Sequence, residues 1–113
     1  VTNSNFLIHV LAMLTCTIVY SQTLFSVDYA SQAEVKVFVV DYPSQADLKV
    51  FKVDYASQAK GNEGLWYFVE YESQSDNTIF FVKYKNQADL LIHFVEYKSQ
   101  AGWKNKSLMH LMF

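Results

Sequence analysis

Along most of the chain, apolar and polar residues alternate one for one. Between Asp47 and Tyr55, Leu48 and Val50 alternate with Asp47 and Lys49, after which Phe51, Val53 and Tyr55 alternate with Lys52 and Asp54. Period two marks a half-buried β-strand. The two alternations are out of phase, because the apolar residues Val50 and Phe51 are adjacent. The same change of parity falls at Val37-Phe38, Ile79-Phe80 and Ile92-His93, and more loosely at Leu24-Phe25 and Trp66-Tyr67. Successive strand residues point to opposite faces, so each segment is predicted to bury one face early and the other late. A plain meander or solenoid, resting on one face throughout, would not show this. A bulge, or strands crossing from one packed layer to another, would.

The alternating segments are copies of one another. The shared frame is aromatic-x-Val-acid-Tyr-x-Ser-Gln-Ala, found at Phe25–Ala33, Phe38–Ala46, Phe51–Ala59, Tyr67–Ser75, Phe80–Ala88 and His93–Ala101. Its tyrosines are Tyr29, Tyr42, Tyr55, Tyr71, Tyr84 and Tyr97, spaced by thirteen residues with a single step of sixteen. The longer step contains Lys60–Gly64 and divides the repeats into two three-unit halves, 25–59 and 67–101. Thirteen residues hold one strand of about eight or nine residues and a short turn. Ser or Asn in the frame can bond nearby backbone and start the turn. The glutamines Gln32, Gln45, Gln58, Gln74, Gln87 and Gln100 both donate and accept, so they are expected to cap the turn backbone or tie it to a neighbouring strand.

Composition supports an all-β reading of a single small domain. Of 113 residues, 51% are hydrophobic and 17% aromatic, mostly Phe and Tyr beside many Val. Such a mixture favours strands and is far from that of a disordered chain. The formal net charge is −2, with both signs interspersed. No basic footprint for nucleic acid or anionic lipid is present. The N-terminal part differs: no charged residue precedes Asp28, and Phe6–Tyr20 is almost continuously apolar. Fifteen residues are short for a spanning helix but suit the core of a secretory signal peptide, with cleavage after Ser21. Residues 1–21 are therefore expected to be a signal peptide and 22–113 the domain, secreted or periplasmic. Against this stands an n-region without Lys or Arg, and the alternatives are an uncleaved membrane anchor or a buried helix. Cys16, the single cysteine, lies in that run, and Ala12–Thr15 before it fit a lipoprotein signal poorly. Residues 22–113 have no cysteine, so no disulfide framework is available there.

The Val-Asp-Tyr-x-Ser-Gln-Ala-Asp unit, as at Val40–Asp47, resembles the septoil knot family, and so do Gly64–Phe68 between the halves and Gln100–Trp103 at the close. The resemblance extends over residues 24–113. It implies seven interlaced short strands in a deeply knotted chain, the seventh expected at 107–113, as in small bacterial β proteins of that kind. It supplies a fold and no activity.

Chemistry is sparse. The residue before each Tyr (Asp28, Asp41, Asp54, Glu70, Lys83, Glu96) repeats because the frame repeats, and is expected on a solvated strand face. His93 and His110, without cysteine, make a poor metal set. No nucleophile motif and no phosphate-cradling glycine loop occurs. No catalytic, cofactor or metal residue is assigned, and enzyme activity is not expected. The six tyrosines share parity with Phe and Val, so core packing with the hydroxyl at the rim is expected of them. A site should lie where the repeat breaks, which makes Trp66, His93 and Trp103 the candidate binding residues. The expectation is a monomeric, exported, non-enzymatic structural or protein-interaction domain that meets a membrane only through an uncleaved N-terminal segment. Alternatives are a carbohydrate- or peptide-binding module using Tyr and Gln, and a β-fibre subunit.

Overall fold

The computed structural model describes residues 21–113. The expectations placed on residues 1–20, including Cys16, lie outside these. The strands are β1 Thr23–Ser26, β2 Val35–Val39, β3 Leu48–Lys52, β4 Leu65–Phe68, β5 Asn77–Phe81, β6 Leu90–Phe94 and β7 Gly102–Trp103. A turn of 3-10 helix follows each of the first six, from Ala30–Gln32 to Lys98–Gln100. The strands are shorter than the eight or nine residues expected, because the chain leaves the sheet at the acid-Tyr pair to pass its neighbour.

That neighbour comes from the other half of the chain. The sheet order is β4-β1-β5-β2-β6-β3-β7, and a further β3–β4 pairing closes β1–β6 into a six-stranded barrel. Every pairing around the barrel is parallel. Strands of the first and second halves alternate, as interlacing requires.

The register is regular. Leu24 lies beside Asn77, Ile79 beside Val35, Val37 beside Leu90, and Ile92 beside Leu48. Phe51 beside Leu65 and Tyr67 beside Thr23 complete the circuit. In repeat terms, each strand is displaced by two residues against the next. Because barrel strands are tilted, a constant displacement around a closed ring brings equivalent positions to one height. The interior is therefore a stack of six-residue rings. The middle ring is Leu24, Val37, Val50, Trp66, Ile79 and Ile92, each 0% exposed. Below it lie Gln22, Val35, Leu48, Gly64, Asn77 and Leu90, all buried. Above it Ser26, Val39, Lys52, Phe68, Phe81 and Phe94 form a mouth, with Val39 at 40% and Phe81 at 36% exposure.

The predicted change of face is present, and its two sides are the barrel interior and the exterior beneath the turns. Val35 and Val37 are buried inside, whereas Val40, on the opposite parity, is buried outside. One closed barrel with turns packed on its outer surface thus replaces the two layers considered from the pattern.

Residues 107–113 do not form the expected seventh strand. Lys106–Met112 is a 3-10 helix, and the short β7 pairs antiparallel with Leu48 and Lys49 of β3. β4 already takes the later part of β3, so only that short stretch is left to β7. The amides of Lys104 and Asn105 then both donate to the Asp47 carbonyl, at 2.8 and 3.0 Å, which turns the chain off the sheet. Leu108, Leu111 and Met112, spaced for one helical face, close the lower end of the core. Gln22 Nε2 donates to the Met112 carbonyl at 2.7 Å, and Asn62 Nδ2 to that of Met109 at 2.9 Å.

The Asp that follows several frames holds the start of a neighbouring strand. Asp47 Oδ2 accepts from the Leu91 amide, and Asp89 Oδ2 from the Lys36 amide, each at 2.9 Å. Asp47→Ala is expected to cost about 1–2 kcal/mol, the range for a lost charge-assisted bond that is partly replaced by water. The exposed Asp28→Ala should stay within about 0.5 kcal/mol of the parent. Urea midpoints compare the two, and equal midpoints would show that the Asp47 carboxylate does not hold that strand end.

Candidate functional site

The six tyrosines are not core residues. Tyr29, Tyr42, Tyr55, Tyr71, Tyr84 and Tyr97 are all between 64% and 68% exposed. The expected core packing is not found, because parity dictates burial only while the strand lasts and each strand ends before its tyrosine. Each tyrosine instead has extended backbone just before its 3-10 turn, with φ between −134° and −125° in all six. Its carbonyl accepts the amide of the glutamine three residues on, at 3.0 Å in every unit. At this point the chain has left the sheet, and most of the ring is open to solvent. Gln58 Oε1 accepts from the amides of Asp54 and Tyr55 at 3.2 and 3.1 Å, and Gln100 Oε1 from that of Tyr97 at 3.2 Å. Capping of the turn backbone is thus observed in two of the units. All six glutamines and all six residues preceding the tyrosines are exposed.

Of the three residues where the repeat breaks, two are structural. Trp66 is wholly inside the barrel and cannot meet a ligand at the surface. Trp103 donates through Nε1 to the Asn62 carbonyl at 2.8 Å and packs against the buried core. His93 lies in a surface groove.

That groove has sister copies, which the repeat explains. Each lies on the outer barrel face between a second-half strand, its own turn and a turn from the first half. Phe80, Val82 and Gln87 meet Ala30 in one of about 370 Å³, and Tyr67, Val69 and Gln74 meet Ala56 in another of about 410 Å³. The third, about 610 Å³, places His93, Val95 and Gln100 against Pro43, with Lys49, Glu96 and Ser99 at its edges.

His93 is oriented by a hydrogen bond. Its Nδ1 lies 2.9 Å from the Val40 carbonyl. A carbonyl only accepts, so Nδ1 carries the proton, and in the neutral ring Nε2 presents a lone pair. Lys49 is the direct register partner of His93 on β3. Pattern reading singled out His93 but missed Lys49, Glu96 and Ser99 as its companions. For Lys49 the signal is register between strands over forty residues apart, which no local pattern contains, whereas Glu96 and Ser99 follow His93 in its own repeat unit.

The mouth is a second exposed feature. Lys52 Nζ stands 4.4 Å from the Phe94 ring centre and 5.5 Å from that of Phe68, while Phe68 stacks on Phe81 at 6.4 Å. The ammonium therefore covers the aromatic faces that would otherwise be open to water. Among the described residues, no group of His, Cys, Asp and Glu is placed to hold a metal ion.

A family model fits this architecture directly: that of the 7(1) septoil knot domain matches residues 21–104. The chain belongs to the septoil knot family. The match runs from the first described residue, Ser21, to just beyond β7, so it takes in all six repeat units and the short closing strand. It ends before the helix Lys106–Met112. No curated protein matches the chain, and no solved structure does.

Proposed function

We propose that this septoil knot domain is a non-enzymatic binding domain that works outside the cytoplasm and meets its ligand through the turn-bearing outer surface. The observation that carries this is the exposure of all six frame tyrosines, each about two-thirds open to solvent. A large, stiff, amphipathic ring left uncovered at every equivalent position has no folding role to account for it. Tyrosine is also the side chain that gives much contact area at little entropic cost. Export is supported by the apolar run Phe6–Tyr20. Fibre growth by strand addition is disfavoured, since β1–β6 pair into a closed ring that leaves no open ladder among them.

The test uses the full chain on arrays of immobilised glycans and peptides, beside a variant carrying Tyr71→Ser, Tyr84→Ser and Tyr97→Ser. Because the rings are exposed, the variant should unfold within about 0.5 kcal/mol per site of the parent. Its binding should fall to background. Binding that survives all three changes, or no binder on either array, would refute the reading.

A further inference from the structure

We propose that the His93 groove is a carbohydrate subsite, and that the single histidine at the frame's aromatic position creates it. This deepens the binding reading above and rests on it.

The groove differs from its sisters in size and in chemistry. It is about 610 Å³ against about 410 and 370 Å³. The sister grooves place Tyr67 and Phe80 where this one has His93, whose Nδ1 is committed to Val40 and whose other nitrogen accepts when the ring is neutral. Around it stand a donor, Lys49, an acceptor, Glu96, and two groups that do both, Ser99 and Gln100. An anionic ligand would meet Glu96, and a cationic one Lys49. Hydroxyl groups, each of which donates and accepts, match the whole set. Pro43 and Val95 add the apolar contact that the C–H face of a sugar ring needs.

A peptide suits the groove less well. Extended peptides gain affinity by pairing with an open strand edge. β6 at this groove is already paired with β2 on one side and β3 on the other, so no ladder is available.

Heteronuclear NMR spectra of the full chain, titrated with the methyl glycosides of glucose, galactose, mannose and N-acetylglucosamine and with a blocked tetrapeptide, test the proposal. At least one glycoside should move the signals of His93, Lys49, Ser99 and Gln100 saturably. His93→Phe should weaken that binding by about tenfold, equivalent to one hydrogen bond of about 1.4 kcal/mol. Phenylalanine stands at this place in four other units, so the variant is expected to fold, and the exposed Ser99→Ala provides a second, independent loss. Groove shifts caused by the tetrapeptide and by no glycoside would overturn the proposal, as would the absence of any glycoside shift. Glycoside shifts at the tyrosine turns that persist in His93→Phe would also overturn it, yet would leave the binding-domain reading standing. Loss of all binding in the triple tyrosine variant tests that reading separately.

Discussion

Gly64→Ala is expected to destabilise the domain by on the order of 4 kcal/mol or more, at the extreme of single substitutions. A Cβ at Gly64 would collide with the Lys49 carbonyl oxygen and lie 3.1 Å from Leu48 Cδ1. The first of these is backbone in a paired strand and cannot swing aside. The residue also has φ +83°, a region that costs a side chain about 1–2 kcal/mol by itself. Gly64 occupies the lower inner ring next to Leu48, one step below Trp66, so the ring has room for the indole only where a side chain is missing. Gly61 separates the two causes, for it has φ +74° with nothing within 4 Å of an added Cβ. Gly61→Ala should therefore lose only about 1 kcal/mol, the conformational part alone. Denaturant midpoints of the two variants measure the difference. Similar losses in both would show that the close approach to Lys49 does not constrain the fold.

Trp66→Ala should cost about 3–5 kcal/mol, the range for truncating a large buried ring. The indole is the bulkiest side chain in the middle ring and meets Phe68 edge-on at 6.2 Å. Removing it leaves a void between rings that closed strands cannot collapse to fill. Trp66→Phe has a different expectation. The indole Nε1 is buried without a hydrogen-bond partner, as are Gln22 Oε1 just before β1 and Asn77 Nδ2 at the start of β5. An unsatisfied buried donor costs about 1–3 kcal/mol, which phenylalanine recovers while giving up part of the packing. The net change should lie within about 1 kcal/mol of zero. A loss as large as that of Trp66→Ala would mean that the N–H group is hydrogen-bonded after all.

Much of this structure is legible locally. The change of parity at Val37-Phe38 and its equivalents told that each strand serves two faces, and Val37 and Val40 are indeed buried on opposite sides of the barrel wall. The Ser-Gln or Asn-Gln pair is turn chemistry, and it closes a 3-10 turn in every unit. Two expectations failed where local pattern was extended past the element that produced it. The tyrosines continue the strand's alternation in sequence, but the strand has ended by then, and alternation without a sheet buries nothing. The tail 107–113 is apolar enough for a strand, yet barrel closure leaves it no edge, and its three-and-four spacing lets it cover the lower end as a helix. His93 was visible as a departure from the frame, but its setting was not.

The amino-acid sequence by itself determined the repeat unit, its strand-turn order, the two faces of each strand and the division into two halves, because all of these rest on interactions within about a dozen residues. Only the tertiary structure decided that the halves interleave in parallel around a closed ring. That choice also decided that equivalent residues stack in layers, that one end is plugged and the other open, and that the tyrosines face water. Each depends on a two-residue displacement between strands far apart in the chain. Displacement is a property of how tilted strands close on themselves, and no segment of the sequence carries it alone.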